Sequence, residues 1–335
     1  MSLLVSIYLK SIWYLLKNPP HPAVIINFIR YYINSKFPNK IHLKHTPTSI
    51  VLYTTRRCNL SCDFCYLGDD LNPKNHAEFE LEPEHYDKFK KSKFFRNALR
   101  IGLLGGEPFI SKHVFDILAD LKKHGKITTV VTNSMLLKGD KLEKLKEVAP
   151  VALGLSLYDN NRKDIERVNK EMEPYTTIWI QKIISADNLN EIEESIKFCL
   201  SIGAKNLKLS NYYPMSNTDE NKVIFDDNIN FPACKKYIEE TYGDKIRINW
   251  FKPISRVVKK KSCMMPKSYI HLDNNGAIGP CLMRVPNEEK YGNIYSEEGW
   301  NHPGALELRK DMTDDSISND ICRYCESLED DLYKI

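Results

Sequence analysis

The sequence predicts an α/β fold organised on a parallel sheet. From Ser49 onward, six short apolar runs alternate with five polar stretches of helical period. That alternation implies consecutive right-handed crossovers, with helices covering both faces of the sheet. A length of 335 residues with 42% apolar and 27% charged residues is an ordinary globular balance, which excludes a disordered, collagenous or coiled-coil chain. Alternation alone leaves an open doubly wound layer and a curved partial barrel both standing. In either form ligands gather at the carboxyl ends of the strands.

Residues 1–45 read as an N-terminal helical extension. Two apolar helical segments, Leu3 to Lys17 and Ala23 to Ser35, are separated by Asn18-Pro19-Pro20-His21-Pro22, which no helix interior tolerates. The apolar run Leu3 to Leu16 is broken by Lys10 and is shorter than the roughly 20 residues of a membrane span. The segment after it does not match the cleavage site of a secretory signal. The expected location is therefore cytoplasmic. Eight basic residues, from Lys10 to Arg57, precede the first acidic residue, Asp63, leaving 40 basic against 44 acidic in the remainder. Two readings of this extension stand: its apolar faces pack on the main domain, or it is a basic, aromatic surface element peripheral at a membrane or docked on an acidic partner. No basic block with interleaved aromatics speaks for nucleic acid.

The core, residues 46–215, carries strands at Ile50 to Tyr53, Arg100 to Leu104, Thr128 to Thr132, Val151 to Leu157, Thr177 to Ile184 and Asn206 to Ser210. Helices fall around Pro83 to Phe95, Val114 to His124, Lys141 to Val148, Arg162 to Lys170 and Glu191 to Ser201. Residues 216–262 form a bridging region with a helix near Pro232 to Tyr242 and a strand near Lys245 to Trp250. Residues 263–335 are rich in Gly, Pro, Asn and Cys, as in a small module built around metal rather than a hydrophobic core.

Nine cysteines in a cytosolic chain point to metal or catalysis rather than to disulfides. Directly after the first strand stand Cys58, Cys62 and Cys65, in the spacing C-x3-C-x2-C. Three thiolates on one loop suit an iron–sulfur cluster with one iron left open to substrate or cofactor. Zinc is the alternative, although no well-spaced fourth ligand lies nearby. After the second strand comes Gly105-Gly106-Glu107-Pro108, where glycines admit close backbone approach and a carboxylate suits a cationic amine.

These motifs, in this order, resemble the radical S-adenosylmethionine (SAM) superfamily. The resemblance implies a partial (β/α)6 TIM-like barrel and a [4Fe-4S] cluster on Cys58, Cys62 and Cys65, with SAM on the open iron. It also implies one-electron cleavage of SAM to methionine and a 5'-deoxyadenosyl radical. It assigns Phe64 to the adenine side, and Gly105, Gly106 and Glu107 to the SAM amino group. Asn133, Ser156 and Arg167 are assigned to its ribose or carboxylate. Ser156-Leu157-Tyr158-Asp159 departs from the Asp-Gly common after this strand in peptide-modifying relatives.

Toward the carboxyl terminus, Cys263, Cys281, Cys322 and Cys325 resemble the SPASM extension of that superfamily, with Gly276 five positions before Cys281. The chain runs only ten residues past Cys325, so the match is closer to the shortened twitch form, with one auxiliary [4Fe-4S] cluster. A zinc ribbon is the alternative. Cys199 reads as a small core residue. Cys234, near the bridge, is a candidate hydrogen-atom donor in catalysis.

The implied function is hydrogen abstraction from a small molecule, such as a sugar, a cyclitol or a lipid-linked glycan precursor, for oxidation or epimerisation. The auxiliary cluster would accept an electron, and flavodoxin or ferredoxin would supply the reductant. Tyr212, Tyr213, Arg247 and Trp250 are candidates for the substrate side. The alternatives are a peptide-modifying radical SAM/SPASM enzyme and a non-catalytic iron–sulfur or zinc protein.

Overall fold

Each strand alternates its side chains between two buried environments, and this alternation builds the site. In the first strand, β1 (Ser49–Thr55), Ile50 and Leu52 join the main core beneath the helices, whereas Val51 and Tyr53 join a separate inner cluster with Leu67 and Tyr269. The description rests on a computed structural model and covers residues 3–37, 39–62, 64–65, 67, 79–213, 220–256, 263–281, 283–312, 322 and 325.

In chain order, helices α1 (Leu3–Lys17) and α2 (Pro22–Ser35) precede β1. The stretch expected as one helix over Pro83 to Phe95 is two, α3 (Pro83–Lys90) and α4 (Lys93–Asn97). The break falls at Ser92, whose hydroxyl accepts from the Phe95 amide at 3.2 Å and starts a new helix. Then follow β2 (Arg100–Gly105), α5 (Val114–Lys123), β3 (Ile127–Thr132), α6 (Asp140–Glu147), β4 (Ala152–Ser156), α7 (Arg162–Met172), β5 (Thr177–Ile184), α8 (Glu191–Ser201) and β6 (Asn206–Asn211). The bridge supplies α9 (Asn230–Tyr242) and β7 (Arg247–Asn249). The carboxyl-terminal part supplies α10 (Met265–Ser268), β8 (Tyr269–Leu272), β9 (Ile278–Gly279), α11 (Glu288–Tyr291) and α12 (Pro303–Asp311).

The described strands form one sheet in the order β7-β6-β5-β4-β3-β2-β1-β8-β9, parallel throughout except for the β8–β9 pair. Residues of β2, β3, β4, β5, β6 and β8 line one cavity of about 360 Å3. Strands about 4.8 Å apart in a flat layer cannot all reach so small a space, so the sheet curves around it. This is the α/β, barrel-like architecture that the motifs imply.

Two strands, β8 and β9, were not anticipated. Tyr269–Leu272 pairs in parallel with β1, Ile270 opposite Ile50, and so carries the carboxyl-terminal segment onto the core sheet. All four of its residues are buried, which erases the alternation that marks a strand in sequence. Fully buried Arg309 on α12 fastens the segment further. It donates to the carbonyls of Pro266 and Trp300, at 2.8 and 2.7 Å, and to that of Ile41 at 3.2 Å.

The amino-terminal helices meet the domain through polar groups. Asn27 exchanges hydrogen bonds with the Thr46 backbone, donating at 3.0 Å and accepting at 2.9 Å, and the Tyr14 hydroxyl donates to the Lys122 carbonyl. Val24 is buried, but most of their large apolar side chains are exposed, so the reading in which the apolar faces pack on the domain holds only in part. Among the described residues, no helix is long and apolar enough to cross a membrane.

Candidate active site

Two loops leave the carboxyl ends of neighbouring strands β1 and β2 and zip together. The Gly106 amide donates to the Thr55 carbonyl and the Glu107 amide to the Arg57 carbonyl, both at 2.9 Å. Glycine is required at both junctions: Gly105 sits at φ +143°, and a Cβ on Gly106 would lie 2.2 Å from the Arg57 carbonyl oxygen. The contact sets Glu107 beside the loop that carries the first cysteines.

Cys58, Cys62 and Cys65 line the 360 Å3 cavity together with Gly105, Gly106, Glu107, Asn133 and Ser156. Burial pushes the Cys58 thiol up, the Leu60 amide pulls it down, and the neighbouring Glu107 and Cys62 push it up again. Among the described residues no three His, Cys, Asp or Glu side chains close on a single metal ion. Three thiols around one shared cavity match the ligand set of a cluster, whose irons each take their own thiolate. The residues present therefore fit a [4Fe-4S] group.

Glu107 is buried, and three donors orient it. Oε1 accepts from the Thr132 hydroxyl at 2.8 Å and the Phe109 amide at 3.2 Å, and Oε2 accepts from the Asn133 amide at 2.8 Å. Burial pushes its carboxyl up to about 7, against the pull of those bonds and of Lys141. Asn133 also donates from Nδ2 to Asn59 Oδ1 at 2.8 Å, joining the end of β3 to the cysteine loop. Ser156 lies at the cavity and accepts from Gln181 Nε2 at 3.0 Å. Phe64 stacks on Tyr158 with ring centroids 6.0 Å apart, and both rings line the cavity.

Two expected site residues stand elsewhere. The Arg167 guanidinium donates to the Leu137 carbonyl at 3.1 Å and pairs with Asp164, its neighbour one turn earlier on α7; it lines neither cavity described here. Cys234, on α9, packs against the main core with its sulfur 3.9 Å from the Leu189 carbonyl, and it too lines neither cavity. Of the substrate-side candidates, Tyr212 and Tyr213 line the cavities. Arg247, at the Lys205 carbonyl, and Trp250, on the core, do not.

A second cavity of about 520 Å3 adjoins the first and shares Cys62, Phe64, Ser156, Tyr158 and Gln181 with it. Lys182 is shared as well, and the further lining mixes Ser185, Asp187, Asn188 and Glu191 with Leu157 and Tyr212. Lys182 pairs with Glu191 at 2.7 Å. Sequence reasoning missed Gln181, Lys182, Lys208 and His271. The available signal was polar residues interrupting otherwise apolar strands, Gln181-Lys182 in β5 and Lys208 and Ser210 in β6.

The carboxyl-terminal cysteines gather next to the first cavity. Cys325 lines that cavity, and its amide donates to the Cys322 carbonyl at 3.3 Å. Cys263 is buried and packs with Leu308, Met312 and Cys322. Burial pushes the Cys281 thiol up to about 12; the Met283 amide and Arg284 pull it down, and Cys325 and Cys322 push it further up. Beside them Arg284 is buried, donates from Nη1 to the Tyr291 hydroxyl at 2.6 Å, and also hydrogen-bonds the Cys322 sulfur. A buried cation needs a counter-charge, and the thiolates of Cys281 and Cys322 beside it supply one.

The family model described as Radical SAM superfamily matches residues 52–226. The tungsten-containing aldehyde ferredoxin oxidoreductase cofactor-modifying protein of Pyrococcus furiosus is 26% identical over 205 residues, 54% of this chain and 56% of that protein. The chain thus spans little more than half of that relative's length. The probable GTP 3',8-cyclase of Methanocaldococcus jannaschii is 26% identical over 269 residues, 71% of this chain and 86% of the relative. Among solved structures, Streptococcus suis SuiB bound to precursor peptide SuiA shares the fold, with a TM-score of 0.61 at 17% identity. The superposition covers 84% of this chain and 70% of SuiB.

Proposed function

The chain belongs to the radical SAM superfamily, and from that premise we propose that it oxidises a hydroxyl-bearing small molecule held between two iron–sulfur sites. The family's [4Fe-4S] cluster and SAM supply, when bound, a one-electron cleavage that produces a hydrogen-abstracting 5'-deoxyadenosyl group. Cys58, Cys62 and Cys65 would hold that cluster, Glu107 the SAM amino group, Ser156 the ribose, and Phe64 with Tyr158 the adenine.

The observation that carries the reading is the shared cavity. The first cysteine triad and Glu107 line it together with Cys325 of the carboxyl-terminal set. The group held by Cys58, Cys62, Cys65 and Glu107 would supply hydrogen-atom abstraction, and one held by Cys263, Cys281, Cys322 and Cys325 would supply a one-electron acceptor, so that a substrate between the two sets, giving its remaining proton to solvent, would undergo a net two-electron oxidation. Epimerisation would need a hydrogen-atom donor at the opposite face, and Cys234, the candidate for that role, does not line the cavity. The adjoining 520 Å3 space has room for a small molecule, and Gln181, Ser185 and Asn188 on its wall offer hydrogen-bond partners for hydroxyl groups such as those of a sugar or cyclitol. The relative named as a GTP cyclase supports a small-molecule substrate. A flavodoxin or ferredoxin would deliver the first electron.

The fold shared with SuiB, whose solved structure holds a precursor peptide, supports a second reading in which the oxidised group belongs to a peptide. Product formation separates the two. Protein purified without oxygen and given SAM and a reductant is expected to hold about eight irons per chain. It should release more 5'-deoxyadenosine when a polyol is added than when peptides are. Cys58→Ala abolishes the release, while Cys322→Ala spares cleavage and blocks complete turnover. Zinc in place of iron, or spectra indifferent to SAM, overturns the reading in favour of a non-catalytic metal protein.

A further inference from the structure

Thirteen of the sixteen large apolar side chains exposed among the described residues lie between Val5 and Phe37. On α1 they are Val5, Tyr8, Leu9, Ile12, Trp13 and Leu16, the i, i+3, i+4, i+7 spacing of one continuous stripe. On α2, Ile25, Ile29 and Ile33 rise one turn apart, flanked by Phe28 and Tyr32, each about half exposed. The sides turned to the protein carry few apolar groups: Val24 is buried on α2, beside the buried and hydrogen-bonded Asn27 and Asn34, and buried Ser11 on α1 donates to the Ile7 carbonyl of its own helix. This inverts the ordinary amphipathic helix, which hides its apolar stripe in its own domain. A patch of this size marks a docking surface.

Charge selects the occupant. Before Asp63 the sequence holds eight Lys and Arg and no Asp or Glu. Lys17 lies over the Trp13 ring at 3.6 Å and Lys36 over the Tyr32 ring at 4.9 Å, so cations rim the stripe beside the aromatic rings. A second copy of the chain would bring like charges together over the same face. At 15 and 14 residues, neither helix crosses a bilayer. The geometry points to an anionic lipid surface: α1 and α2 lie in its plane, with apolar side chains among the acyl chains and Lys and Arg at the headgroups.

Co-sedimentation of the full chain with phosphatidylglycerol–phosphatidylcholine vesicles tests this, against Trp13→Glu/Ile29→Glu and against vesicles of phosphatidylcholine alone. The wild type should pellet with anionic vesicles, less so at high salt or on the neutral ones. The double variant should lose binding by at least about tenfold, with its iron content and 5'-deoxyadenosine formation unchanged. Equal binding by variant and wild type, or none by either at low salt, overturns the proposal. A wild type that sediments as a dimer without lipid, and a variant that is monomeric, would assign the patch to self-association instead.

Discussion

The Thr132 hydroxyl donates to Glu107 Oε1 across 2.8 Å, joining the end of β3 to the loop that follows β2. With the Asn133 and Phe109 amides it fixes a carboxylate inside a cavity before any ligand arrives. Burial still wins over the three donors, and the group titrates near 7.

The consequence is a pH dependence of SAM affinity. An ammonium ligand needs Glu107 ionised, so binding should weaken as pH falls through about 7, approaching tenfold per pH unit below it. Glu107→Gln should bind SAM poorly and abolish the acidic limb. Stability runs the other way. The folded pKa lies above the unfolded 4.5, so its contribution is complete below 4.5 and is lost as pH rises through about 7. The ligand-free wild type should then lose stability as pH rises from about 5 to 8, by an amount on the order of a few kcal/mol. Anaerobic titration calorimetry and denaturant melts between about pH 5 and 8 check both trends; a pH-flat SAM affinity in the wild type would contradict them.

Gly106→Ala tests the zipped loops. The added methyl would meet the Arg57 carbonyl oxygen at 2.2 Å, a backbone atom that cannot rotate away. The loops must part, at a cost of about 1–3 kcal/mol. Glu107 would then drift from the cysteines, lowering SAM affinity more than iron content. A variant with wild-type melting and SAM binding would show that the zip is dispensable.

What was legible in the sequence follows from chain proximity. Cys58, Cys62 and Cys65 share one short loop, and Gly105, Gly106 and Glu107 are consecutive at a strand end, so local spacing carries their geometry. What was not legible depends on distant chain. β8 pairs with β1 from more than 200 residues away, through four buried residues with no alternation to read. The stripe on α1 is visible as periodicity, yet only its polar contacts, such as Tyr14 to Lys122, decide which side faces out. Arg167 has a plausible position along the chain, but its guanidinium is spent on Leu137 and Asp164.

Arg284 has no motif around it, and its placement predicts a redox effect at the second site. Burial favours loss of its proton, but Tyr291, Cys281 and Cys322 outweigh that, so it stays charged. A fixed positive charge beside a cluster stabilises the more negative, reduced form and raises the reduction potential. Arg284→Gln removes the charge and should shift the second cluster's midpoint negative, leaving the SAM-bound cluster unchanged as an internal reference. Arg284→Lys keeps the charge and should restore most of the shift. Redox titration followed by paramagnetic resonance reads both midpoints on the same sample. Equal midpoints in wild type and Gln variant at full iron content would mean that the charge does not act on the cluster, and equal shifts in Gln and Lys would mean that shape rather than charge sets it. If the Gln variant holds only about four irons, Tyr291→Phe gives the second reading. It frees the guanidinium from its 2.6 Å anchor without removing the charge, and a smaller negative shift is expected. The direction matters for turnover, because a higher potential makes the second site the better electron acceptor for the oxidation proposed above.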